Sequence, residues 1–162
     1  MPAGSTYTPI ATTTLGSAVR SYTFSSVPSS YTDLILVANG TSASPSDLGI
    51  ILNGDTGNNY SATQIIGNGS SASSSRESNV GSAKVGTFYS SPIGNLIINI
   101  MNYSNSTTYK TILSRNNSPS NYTGAFVSLW RNTATVTSVQ FYGNNDNLSI
   151  GTTLTLYGIT AA

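Results

Sequence analysis

The chain has 162 residues, and half of them are Ser (28), Thr (22), Asn (17) or Gly (15), with no His and no Cys. Six Lys and Arg stand against five Asp and Glu, a formal net charge of +1. Proton transfer near neutral pH, thiolate chemistry and most metal centres need side chains that are missing or sparse here. The basic residues Arg20, Arg76, Lys84, Lys110, Arg115 and Arg131 are scattered and do not form the stripe of a nucleic-acid binder.

The length suits one domain, and at this size folding buries roughly 70% of the unfolded surface, so no disulfide or metal staple is needed. Ten Tyr, four Phe and one Trp supply core material. No segment reaches the ~18 consecutive apolar residues of a membrane helix. Residues 1–6 lack the charged and apolar regions of a secretion signal.

In chain order, residues 1–10 are assigned to a polar N-terminal arm and 11–162 to a single domain. Short β-branched or alternating runs predict strands over 8–15, 19–25, 33–39, 48–53, 62–66, 84–89, 95–103, 109–115, 125–131, 135–142 and 153–159. Runs apolar on both faces, Leu34-Ile35-Leu36-Val37 and Leu96-Ile97-Ile98-Asn99-Ile100-Met101, read as central strands with one face on the core and the other against a neighbour or a subunit. Asn53-Gly54 marks a tight turn, and the serine-rich stretch 68–82 reads as a flexible loop. Across 136–141 the alternation slips, as at a β-bulge. The expected fold is all-β: one antiparallel, jelly-roll-like sandwich of about 8–11 strands.

No catalytic constellation emerges. Asp33, Asp47, Asp55, Glu77 and Asp146 are the only acids, and most sit in turn-like contexts where Asp bonds its own backbone. A serine nucleophile would lack a His base. Asp55 and Asp146 each offer one carboxylate per loop, too few for a calcium site. The reading is a non-enzyme with no catalytic residues, metal or cofactor. Candidate interaction residues are the aromatics Trp130, Tyr103, Tyr109 and Tyr122 together with Arg131. For Trp130, core or subunit packing is favoured over an exposed binding face, and Asp33 is a candidate ion-pair partner for Arg131.

Several segments recur in a familiar order: Tyr22-Thr23-Phe24-Ser25-Ser26-Val27-Pro28, Tyr31-Thr32-Asp33-Leu34-Ile35-Leu36-Val37, Leu52-Asn53-Gly54-Asp55 with Asn59-Tyr60-Ser61, Asn102-Tyr103-Ser104-Asn105 with Tyr109-Lys110-Thr111, Trp130-Arg131-Asn132-Thr133, and the closing Gly151-Thr152-Thr153-Leu154-Thr155-Leu156-Tyr157-Gly158-Ile159. Over residues 22–159 this set resembles the small β-sandwich virion proteins of tailed bacteriophages, especially phages of cyanobacteria and marine bacteria. The resemblance implies a structural protein of the phage particle, assembled in the host cytoplasm and exposed on the virion surface. The leading expectation is a homotrimeric capsid decoration (cement) protein bound to the major capsid protein, with no nucleic-acid or membrane partner. The alternative is a tail-fibre or adhesin module that holds a host glycan.

Overall fold

The computed structural model describes residues 6–160. Twelve strands occur among them: β1 (Tyr7–Thr14), β2 (Ser21–Phe24), β3 (Asp33–Gly40), β4 (Ser46–Leu52), β5 (Tyr60–Gly67), β6 (Ala72–Val80), β7 (Ala83–Phe88), β8 (Gly94–Ile100), β9 (Lys110–Ser118), β10 (Tyr122–Trp130), β11 (Val139–Gly143) and β12 (Thr153–Ile159). They form an eight-stranded sheet, β1-β12-β3-β8-β9-β10-β5-β6, and a four-stranded sheet, β2-β11-β4-β7. All pairs are antiparallel. The fold is thus the expected all-β sandwich, with one strand more than the upper expectation.

Its jelly-roll character lies in the pairing. With β5, β6, β9 and β10 set aside, the remaining strands nest from the outside in: β1 with β12, β2 with β11, β3 with β8, β4 with β7. That is one long hairpin rolled into two sheets. At its open end Tyr7 lies opposite Ile159. The four other strands are two inserted hairpins, β5–β6 and β9–β10, joined to each other through β10–β5 and to the roll through β8–β9. Both insertions widen the same sheet.

Inward-facing alternate residues make the core. Leu34, Leu36, Ile98, Ile100, Leu154 and Leu156 from the large sheet meet Leu48, Ile50, Leu52, Val85 and Phe141 from the small one, all essentially inaccessible. β3 and β8 occupy the centre of the large sheet, as their apolar runs imply. Polar residues join the two layers as well. Ser114 Oγ donates to the Val85 carbonyl at 2.7 Å, Ser128 Oγ to the Lys84 carbonyl at 2.9 Å, and Thr87 N–H to Asn116 Oδ1 at 3.1 Å. The backbone of β7, an edge strand, thereby finds partners on the facing sheet instead of a further strand.

Three readings need correction. The stretch 68–82 is not a loop: Ala72–Val80 is β6, registered on β5 from Gly67↔Ala72 to Tyr60↔Val80. Ala72 through Asn79 are all exposed, so no buried face exists to print an alternation on the sequence. The slip across 136–141 is not a bulge; bulges fall at Pro9/Ala11, Leu48/Gly49 and Tyr60/Ser61. There Asn53 takes the backbone instead: its Oδ1 accepts from Thr137 N–H (2.7 Å) and Ser138 N–H (3.2 Å), and its Nδ2 donates to the Thr135 carbonyl at 2.8 Å. Of the arm over 1–10, residues 1–5 lie outside the described residues, and from Tyr7 the chain is strand β1. The Asn53-Gly54 turn is present, with φ of 54° and 67° and a 2.9 Å bond from Asp55 N–H to the Leu52 carbonyl.

Candidate functional site

Trp130 ends β10 fully buried and stacks on Tyr60, ring centroids 6.3 Å apart at 19°. Its Nε1–H donates to Asp55 Oδ2 at 2.8 Å. Asp55 also accepts from Gly57 N–H (2.9 Å) and Asn59 Nδ2 (2.9 Å). The indole bond above all, opposed by partial burial and helped by Asn59 and Gly57, holds this carboxyl below its ordinary 3.8. Tyr103 is equally buried, its hydroxyl donating to the Pro28 carbonyl. Neither ring reaches the surface. Arg131 Nη2 donates to the Asn58 carbonyl (2.8 Å) and Asn79 Oδ1 (2.9 Å), whereas Asp33 accepts from Asn102 N–H; Arg131 ties β6 to the β4–β5 turn and does not pair with Asp33. Tyr109 is 53% exposed. Tyr122 lies on the inner face of β10, its hydroxyl bonded to Asn116 Oδ1, and burial pushes its phenol up to about 12.

Lys110, not singled out by the sequence, is fully buried with three carbonyls and no carboxylate on its ammonium: Asn105 at 2.6 Å, Thr108 at 2.7 Å and Thr133 at 3.1 Å. Burial lowers its proton affinity. It pins the loop after β8 to the segment after β10. No group of three or more Asp and Glu side chains able to hold a metal ion occurs among the described residues.

Two regions look outward. The first is the outer face of the large sheet. Ile97, Leu113, Val127 and Ile65 are exposed there at 37, 38, 49 and 63%. Leu113↔Val127 lie directly across adjacent strands, and Ile97 and Ile65, opposite Arg115 and Ala125, are each one diagonal step from that pair. Arg115, opposite Ile97, adds a cation. On a chain rich in hydroxyls and amides, this cluster of exposed aliphatic side chains stands apart. None of the five candidate interaction residues is among these aliphatics. The two-faced apolar runs of β3 and β8 were its sequence signal.

The second region is a cleft of about 370 Å³ on the inner side of the same sheet. The small sheet ends at β7, which lies across β9 and β10, so β5 and β6 extend past its cover. Gln64 and Ile66 of β5 and Phe126 and Tyr122 of β10 line one side, and Asp47, Lys84 and Thr87 line the other. Tyr89 meets Tyr122 edge to face at 6.2 Å and 66°. Asp47 accepts from Thr87 Oγ1 at 2.9 Å and pairs with Lys84 at 3.2 Å, while Glu77 sits 3.5 Å from the same ammonium. Burial pulls Lys84 down, but the two carboxylates outweigh it and hold its proton affinity above the ordinary value. Gln64 Oε1 is buried with no hydrogen-bond partner. Of the five candidates only Tyr122 belongs here. Gln64, Tyr89 and Asp47 were invisible in the sequence, because the cleft exists only through the pairing of β10 with β5.

No protein-family model matches the chain, and no curated protein matches it. Among solved structures, a protein of unknown function from Shewanella oneidensis MR-1 is similar at a TM-score of 0.22 and 8% identity, covering 100% of this chain and 82% of that one. A likeness this slight has no bearing on function.

Proposed function

We propose that this chain is a non-enzymatic structural protein of a phage particle, a decoration protein that binds the assembled head shell as a homotrimer. The observation that supports this reading is the exposed aliphatic face of the eight-stranded sheet, where Leu113 and Val127 lie directly across from each other and Ile97 and Ile65 stand diagonal to them. The segment resemblance supplies the context of the particle. A protein that grips only the assembled shell stabilises that state by linkage, and many copies multiply a weak contact. A near-neutral surface lets copies crowd together without mutual repulsion.

The test uses heads purified without this protein. Wild type is expected to co-sediment with them and raise the temperature at which they open. An Ile97→Asp, Leu113→Asp double variant, kept in the test only if circular dichroism and its melting curve show it folded, should lose attachment, and Val127→Asp, at the 49% exposed position, should weaken it. Attachment of the double variant at wild-type occupancy, or no attachment of wild type, refutes the reading.

A further inference from the structure

Of the six cations, four are bound within the fold. Arg20 donates to the Asn144 carbonyl, Lys84 pairs with Asp47 and Glu77, Lys110 is held by three carbonyls, and Arg131 bonds Asn58 and Asn79. Arg76 and Arg115 make no hydrogen bond or ion pair among the described residues. Both stand exposed on the outer face of the eight-stranded sheet, the face that carries the aliphatic cluster. Arg115 lies opposite Ile97, and Arg76 continues the cross-strand row Leu113, Val127, Thr63. From Arg115 the sheet runs through Ala125 and Ile65 to Ser74, two residues before Arg76. Three strand spacings and one two-residue step therefore set the two Cα atoms roughly 16 Å apart. Val127 and Ile65 fill the interval. Each guanidinium borders a shallow depression: about 320 Å³ beside Arg76, Thr63 and Val127, and about 230 Å³ beside Arg115 and Ile97.

These cations have no acids near them. Glu77 follows Arg76 in β6, but strand alternation turns it to the other side of the sheet, where it reaches Lys84. Asp33 starts β3, away from both arginines, and accepts from Asn102 N–H. Asp47 belongs to the small sheet, and Asp55 and Asp146 lie in the turns that follow its strands β4 and β11. The charge on the aliphatic face thus decides between occupants. Two copies of this chain laid face to face would bring four guanidiniums together, a like-charge juxtaposition that disfavours the pairing. A purely apolar partner would strip water from both cations and return nothing. A carboxylate fits, because the planar guanidinium offers it two parallel N–H donors.

We propose that the occupant of this face is a protein surface that sets two carboxylates about an apolar strip, one meeting Arg76 and the other Arg115. The proposal deepens the shell-attachment reading and rests on it: the shell supplies the acids, and contacts between copies in a trimer lie on other faces. The experiment uses the full chain and heads purified without it, with occupancy read by co-sedimentation across a salt series. Wild-type affinity should fall as salt rises. Arg76→Gln with Arg115→Gln, confirmed folded by circular dichroism, should bind about tenfold more weakly at low salt and lose most of the salt dependence. Arg20→Gln, which removes the same charge beside β2, should bind as wild type does. Equal low-salt binding by wild type and the Arg76→Gln, Arg115→Gln variant overturns the proposal and leaves attachment through the aliphatics standing. An equal loss in Arg20→Gln overturns it as well, since net charge would then suffice. Arginine-dependent binding to phosphatidylglycerol vesicles as tight as binding to heads overturns it in favour of a lipid surface. Absence of wild-type attachment at every salt concentration overturns both this proposal and the shell reading.

Discussion

Asp55→Ala tests the coupling between the turn after β4 and the core. In the native protein the buried indole N–H of Trp130 has this carboxylate 2.8 Å away. Removing it strands a buried donor, at a cost of roughly 1–3 kcal/mol. The bond to Gly57 is more exposed, and water replaces it at little net cost. At roughly 2–4 °C per kcal/mol for a domain of this size, the melting temperature should fall by about 2–12 °C. Trp130 is the only tryptophan, so its fluorescence follows unfolding at the site itself. Asp55→Asn adds a pH arm. Native Asp55 binds its proton less tightly than the unfolded chain does, so its contribution is complete above the ordinary 3.8 and is lost as pH falls through the lower native value. The Asn variant lacks that part of the acid sensitivity, while other acids titrate alike in both proteins. A loss under about 0.5 kcal/mol for Asp55→Ala, or identical acid profiles for wild type and Asp55→Asn between about pH 5 and 3, would refute the reasoning.

Lys110→Met leaves the Asn105, Thr108 and Thr133 carbonyls without their shared donor, and the urea midpoint should fall by an amount equivalent to about 2–3 kcal/mol. Asn53→Ala removes the bracket on residues 135–138 and places Ala at φ 54°, a combined loss of about 2–3 kcal/mol by thermal melting; Asn53→Gly, which relieves the backbone term alone, should recover part of it. Gly158→Ala sets a Cβ 2.3 Å from the Tyr31 ring, so the ring must move, at about 1–3 kcal/mol and with altered near-ultraviolet circular dichroism.

The strands with a strong buried face were readable directly. β12 alternates Leu154 and Leu156 with Thr153 and Thr155, and its bounds follow from that pattern alone. β3 and β8 carry apolar residues on both faces because they sit mid-sheet. β6 was hidden for the opposite reason: with neither face covered, its serines show no period. The truncated start of β11 was equally hidden, because its cause is Asn53, more than eighty residues away. For the candidate site, residue type alone pointed to aromatics, and it separated poorly between jobs. Trp130 and Tyr103 have the chemistry of a binding face yet spend it inside, on Asp55 and on Pro28. The aliphatic outer face depends on register, and the cleft on which hairpin pairs with which; both are properties of topology, not of any local run of residues.

Because Tyr7 and Ile159 face each other across β1 and β12, within roughly 5 Å between Cα atoms, the two ends of the described chain leave the molecule at one place. A short Gly/Ser bridge between them should close the polypeptide without strain, and the exposed turn between β5 and β6 offers a site to open it again. A circular permutant built that way would keep every strand pair, and cargo joined at Tyr7 or at Ile159 would hang from the same corner, away from the inserted hairpins.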